Sequence, residues 1–404
     1  MSTPGFRSFN PALQRFFIAT VVNTIGSAAL FGFALIYLHE IRGIPLDRAG
    51  FAIGAMSFTL VVCTPFAGSL SDRFGARRIL AIGCLVSIVA GASYAMVDSF
   101  ATALGASVLL GIGNAMWFPA QAALLSLIVQ PHERPAVSAF QRAALNLGAA
   151  LGGVLGGLLV HDDSLRSFQI LFGVNVLTYF VFLAVLPGMP PGRVTHSEQV
   201  ADRHGFLEVL ADRFYLRLLV TDISVALGFG FLFAFMPAYA SGLGIGKATI
   251  GVLFMLGAAS VVVTQIPTLR WVRGRDRMQS LALMNVWFAI AFTLMVVTPH
   301  VRVGLAVVVI GVGQVVGGFG EAVLGAVRQP LTSDLAPPEL VGRYFGLYSM
   351  VFQGGMGLAN TVGGIVMDHS LSAVWLIPLS TSIAGIAGSL ALRRRIPAHL
   401  ALSA

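Results

Sequence analysis

Twelve stretches of 18 or more residues pass without one Asp, Glu, Lys or Arg: 16–39, 49–71, 79–97, 99–131, 143–160, 167–192, 223–246, 248–269, 278–301, 303–320, 344–367 and 369–392. A helix needs about 20 apolar residues to cross a hydrocarbon core of roughly 30 Å, so each stretch is long enough to span a bilayer. None shows the period-2 alternation of an outer-membrane barrel strand. The expected fold class is therefore an all-α membrane protein with twelve transmembrane helices. Composition agrees, because 56% of the chain is hydrophobic and only 10% charged. A soluble domain carries roughly a quarter charged residues, and a disordered chain is poor in apolar ones. Residues Met1 to Gln14 lack the pattern of a cleavable signal, so the first span is expected to be retained.

The basic residues set the orientation. The net charge is +8, and with twelve spans the termini and the even-to-odd connections share one side. That side holds twenty of the 25 basic residues; Arg42, Arg48, Arg166, Lys247 and Arg302 fall on the other. The positive-inside rule then places both termini in the cytoplasm of an inner or plasma membrane. The positive charge is explained by topology, with anionic membrane lipids as a natural partner, and nucleic acid is not needed. Cys63 and Cys84 both lie in apolar runs, which excludes a disulfide framework. His39, His161, His300 and His369 have no ligand spacing within one helix, so no metal is expected. No phosphate-binding loop, dinucleotide fingerprint or nucleophile elbow occurs, so no cofactor and no enzyme chemistry are expected.

The chain reads as a duplication. Gly111-Ile-Gly113-Asn114 matches Gly311-Val-Gly313-Gln314 at an offset of 200, and Gln121 matches Glu321. Pro65 matches Pro267, and Gly156-Gly157 matches Gly363-Gly364. A long polar interval separates the copies. The expected organisation is a first six-helix bundle over 1–187, a cytoplasmic loop over 188–213 and a second bundle over 214–404. Two such repeats place a substrate path where they meet and allow alternating access by rocking.

Between the second and third spans the chain reads Gly68-Ser-Leu70-Ser-Asp72-Arg73-Phe-Gly75-Ala-Arg77-Arg78. This resembles the signature loop of the major facilitator superfamily, Gly-x-Leu-x-Asp-Arg-x-Gly-x-Arg/Lys-Arg/Lys, in its expected place. The resemblance implies the major facilitator fold, two pseudo-symmetric six-helix bundles. It also implies that this loop latches the cytoplasmic ends of the halves in one state. Gly68 would allow close helix approach and Gly75 a tight turn. The matching loop of the second half, Arg270 to Arg277, keeps the basic charge without the Gly-x-x-x-Asp spacing.

Span five reads Gly148-Ala-Ala-Leu-Gly152-Gly153-Val-Leu-Gly156-Gly157, similar to a motif of the family's twelve-span drug/proton antiporters, with Gly153 in place of a proline. Gly148, Gly152, Gly156 and Gly157 are expected on one ridge packed closely on a neighbour. The antiporters' span-four arginine would fall on Ser107, so its role does not carry over.

Two carboxylates lie inside spans, Asp222 and Glu321. Charged groups there are costly and mark function, so both are proton-coupling candidates; the alternative is structural pairing with an arginine such as Arg142 or Arg343. Asn23, Asn114, Gln121 and Gln314 are uncharged polar groups on spans one, four and ten, which resemble the family's path-lining set. They and Trp117, beside Pro119, are the expected substrate-cavity residues. On this reading no central span holds a buried arginine. A path lined by amides and aromatics suits apolar or cationic solutes. The expected function is proton-coupled efflux of hydrophobic or cationic drug-like small molecules by a monomer. Uptake or facilitated diffusion of a small metabolite is the first alternative, and a non-transporting receptor or lipid-handling protein is the second.

Overall fold

The computed structural model describes residues 9–129, 134–160, 164–189, 205–337 and 340–403. Among them the chain is helical, without a strand beyond one antiparallel bridge between Asp276 and Leu402. The first half contains α1 (Pro11–Ile36), α2 (Leu46–Phe74), α3 (Ala76–Ala95), α4 (Phe100–Ile128), α5 (Arg134–Leu159) and α6 (Leu165–Val185). A short α7 (Gly205–Ala211) follows. The second half contains α8 (Arg213–Gly230) with its continuation α9 (Met236–Gly242), then α10 (Lys247–Val272), α11 (Arg277–Val297), α12 (Val303–Leu335), α13 (Val341–His369) and α14 (Leu376–Arg393). Of the expected central loop, residues 190–204 lie outside the described residues.

Eleven of these helices or helix pairs are long and apolar enough to cross a membrane. The twelfth expected span is α13, 29 residues long, in which Ser349, Gln353, Asn360 and Thr361 dilute the apolar content. The largest departure from the sequence reading is α12. Its charge-free stretch ends at residue 320, with Glu321 expected inside the span, but the helix runs on to Leu335 and takes Arg328 with it as well.

The chain divides into two compact units, Met1–Thr195 with Ile245–Met255, and His196–Gly244 with Leu256–Ala404. In the first, α1 packs on α5 and α6, and α3 on α4 and α6. In the second, α8 packs on α13 and α14, and α11 on α12 and α14. The repeat extends to single hydrogen bonds. The Tyr37 hydroxyl donates to the Tyr94 carbonyl at 2.8 Å, and the Tyr239 hydroxyl to the Met295 carbonyl at 2.6 Å. In both halves the first helix widens into a π turn, Tyr37–Ile41 after α1 and Phe231–Phe235 between α8 and α9. Backbone irregularity inside apolar helices is uncommon, and its recurrence at matching positions is a property of the repeated unit.

Candidate functional site

Three polar residues of α12 recur at a fixed interval. Gln314, Glu321 and Arg328 are seven residues apart, so successive members stay within about 20° of one face of the helix. Each step rises about 10 Å along the axis. Gln314 is buried and sits against α10, where a Cβ on Gly257 would lie 3.6 Å from its amide nitrogen. Glu321 is half-buried.

Arg328 is fully buried, with 0% exposure. Its Nε donates to Asp222 Oδ1 at 3.0 Å and Oδ2 at 2.9 Å, and its Nη2 donates to Oδ2 at 2.6 Å. Nη1 donates to the Thr332 hydroxyl, one turn on along α12. The guanidinium lies over the Tyr348 ring at 4.7 Å from its centroid, with the Tyr215 ring at 5.7 Å. Asp222, on α8, is 4% exposed. A guanidinium in an apolar bundle is tolerable only with its donors engaged and its charge matched, which this shell provides.

This pair corrects two expectations. A central span does hold a buried arginine, because α12 continues past its last charge-free residue. Asp222 pairs with Arg328 rather than with Arg142 or Arg343. The sequence carried the signal as the seven-residue recurrence from Gln314 through Glu321 to Arg328, which the search for uncharged stretches cut at Glu321.

In the first unit, Asn23 on α1 and Gln121 on α4 are buried, and their amide nitrogens, Nδ2 and Nε2, have no hydrogen-bond partner. Asn114 is half-buried. Trp117 packs on α6, its ring 5.6 Å from Tyr179 and 4.3 Å from Phe182.

The span-five glycines divide between two neighbours. A Cβ on Gly148 would lie 2.5 Å from Thr24, and one on Gly152 2.5 Å from the Ile25 carbonyl oxygen, so both press on α1. Gly156 meets Phe33 of the same helix. Gly157 leaves this ridge, contrary to expectation, since nine residues from Gly148 amount to half a turn of phase. With Gly153 it faces the start of α10, where a Cβ on Gly157 would strike the Lys247 carbonyl and one on Gly153 would lie 2.7 Å from Phe254. At the same place Lys247, 8% exposed, donates to Glu40 Oε2 at 2.8 Å. The sequence reading left this ion pair unrecognised.

In the signature loop, Gly75 adopts φ +93° between α2 and α3, a conformation suited to glycine. Gly68 does not make the close approach expected of it, since a Cβ there would meet nothing within 4 Å. Arg77 donates from Nη1 to the Met189 carbonyl at 2.8 Å, tying the loop to the end of α6. Arg73 and Arg78 are exposed, and the Asp72 side chain lies outside the described residues.

The sequence model of the Major Facilitator Superfamily matches residues 16–316. The MFS-type transporter YqjV of Bacillus subtilis is 24% identical over 90% of this chain and 88% of the relative. The multidrug resistance protein MdtH of Cronobacter sakazakii is 23% identical over 79% of this chain and 77% of the relative. The solved nucleoside transporter NupG superposes with a TM-score of 0.76 at 12% identity, covering 94% of this chain and 99% of its own. The peptide transporter POT gives 0.76 at 15% identity, covering 98% of each chain. Both solved structures share the fold.

Proposed function

The chain belongs to the Major Facilitator Superfamily and is a multi-pass membrane transporter, and from that premise we propose that it expels hydrophobic or cationic small molecules in exchange for protons, by alternating access. The observation that carries this reading is the α12 stripe ending in the Asp222–Arg328 pair. Arg328 holds one carboxylate, Asp222, in a two-donor contact. Glu321 lies on the same face of α12. With Glu321 ionised, the stripe and Asp222 together carry a net charge of −1, and with it protonated they are neutral. A proton and a monovalent cation therefore compete for one charge state, which is the thermodynamic requirement for exchanging them. Asp222 has the role of fixing Arg328, and Glu321 that of carrying the proton.

Three further features support the reading. The buried, unpartnered amide nitrogens of Asn23 and Gln121 are donors held in an apolar bundle, suited to orienting a solute with polar atoms. Span five carries the glycines of the antiporter-like motif. The relatives named multidrug resistance protein match across most of the chain. The form proposed is a monomer in the inner or plasma membrane with both termini cytoplasmic, an orientation that the arginine distribution supports.

Reconstituted protein tests this. A pH step across proteoliposomes should drive movement of a fluorescent cationic dye, and Glu321→Gln should reduce the gradient-driven component at least tenfold while the protein keeps its thermal stability. Dye flux indifferent to the gradient removes proton coupling. Full coupling in Glu321→Gln removes the assignment of the proton to that residue.

A further inference from the structure

The end of the chain folds back onto the loop between α10 and α11. The Ser403 amide donates to the Arg275 carbonyl at 2.9 Å, the Gly274 amide to the Ser403 carbonyl at 2.8 Å, and the Arg277 amide to the Ala401 carbonyl at 2.9 Å. Gly274 turns the loop at φ +70°. Asp276 caps α11 by accepting from the Gln279 amide at 2.9 Å, and its other oxygen accepts from Arg393 Nε, at the end of α14, at 2.8 Å. Leu400 is buried beneath the strap.

These contacts gather arginines from two distant parts of the sequence. Arg270 comes from the last turn of α10 with Arg273 and Arg275 in the loop after it, and Arg393 ends α14 with Arg394 and Arg395 following; all six are exposed. The carboxylates facing this cluster are already engaged, Asp276 by Arg393 and Asp334 by the buried Arg277 at 2.6 Å. The cluster thus keeps a strong positive excess.

The surface leading to it is apolar. Val263, Ile266 and Arg270 are spaced three and four residues apart, which puts them on one face of α10, and Arg273 follows three residues on, just past its end. Val263 is 72% exposed and Ile266 62%, so this face would meet acyl chains before it reaches the guanidinium groups. Trp271, 38% exposed, stands at the transition with the Arg275 guanidinium stacked 4.4 Å over its ring. An aromatic at that level marks the membrane–water boundary. A soluble anion would use the charges and have no use for the apolar strip. A phospholipid uses both.

We infer that the strap, the α10–α11 loop and the end of α14 form a binding surface for the headgroup of an anionic phospholipid, whose acyl chains lie along the Val263–Ile266 face of α10. The strap holds the two sets of arginines in register, so a bound lipid joins α10 and α14 on this face of the second unit.

The test is the thermal stability of the detergent-purified full chain, titrated with phosphatidylglycerol, with phosphatidylcholine of the same acyl chains, and with inorganic phosphate. Phosphatidylglycerol should raise the midpoint saturably and less so at high salt, while phosphatidylcholine and phosphate should not. The triple change Arg273→Gln, Arg394→Gln and Arg395→Gln should weaken apparent phosphatidylglycerol affinity about a hundredfold, at about fivefold per arginine. The control triple Arg48→Gln, Arg166→Gln and Arg302→Gln removes three exposed arginines elsewhere and should leave that affinity unchanged. Equal responses to both lipids, or unchanged affinity in the first triple, overturn the inference, and a response to phosphate alone replaces the lipid with a soluble anion. If the first triple does not fold, the headgroup comparison on the unmodified chain and its salt dependence decide alone.

Discussion

At the scale of single residues, the Asp222–Arg328 contact separates the energetics of the site from its function. Removing one partner leaves a buried charge uncompensated, at a cost of about 3–5 kcal/mol, whereas replacing both with apolar groups of similar size is close to neutral. Asp222→Asn should therefore lower the thermal midpoint of the purified protein sharply. The double change Asp222→Leu with Arg328→Met should recover most of that loss. Transport should fail in both: in Asp222→Asn because Arg328 then cancels the charge of Glu321, and in the double because the guanidinium that shares a face of α12 with Glu321 is gone. A double variant that is stable and still transports with proton coupling would make the pair purely structural. Arg328→Lys should also be impaired, since an ammonium cannot reproduce the Nε and Nη2 donors that reach one carboxylate together. The two members are 106 residues apart in sequence, and no local pattern announces such a pairing. Only the recurrence of polar residues along α12 hinted at where the carboxylate's partner would be.

At the scale of elements, close helix approach explains the glycines of α5 and leaves that of Gly68 open. Gly152→Val places branches against the Ile25 carbonyl, a backbone atom that cannot rotate away. Overpacking of this kind costs about 1–3 kcal/mol, readable as a lower midpoint and poorer yield. Gly68→Ala has the opposite expectation. No atom lies within 4 Å of the new methyl group, and alanine in a helix interior is favoured over glycine by about 0.5–1 kcal/mol. Stability should hold or rise. If Gly68 serves the gating loop through a close approach in another state of the cycle, the transport rate should nevertheless fall; an unchanged rate removes it from the gate. The spacing of glycines in α5 was legible in the sequence, but their division between α1 and α10 was not. Small residues report that something comes near without saying what. The C-terminal strap was illegible for a different reason, since residues 398–403 form main-chain contacts that carry no side-chain signature.

At the scale of the whole molecule, most of the architecture could be read before any coordinates. Lipid supplies no hydrogen bonds, so the spans must be helical and nearly uncharged, and that demand is written into every stretch between charges. The duplication was legible because Gly113 and Gly313 meet equivalent requirements, each facing the preceding long helix of its own half, α3 and α11. What the uncharged stretches hid is the charged half of α12, where the helix carries Arg328 into the apolar bundle. The same arginine distribution that sets the orientation gives a further expectation: reporter fusions at either end of the chain should both be active on the cytoplasmic side, and an extracellular carboxy terminus would invert the account.

The most direct measurement concerns protons released on binding rather than flux. Tetraphenylphosphonium, a bulky apolar cation, is added to the purified protein in weakly buffered detergent solution with a pH indicator. The account predicts release of up to about one proton per cation bound, and loss of that release in Glu321→Gln. Binding of the cation across a range of pH with no proton released, or release undiminished in Glu321→Gln, would contradict it.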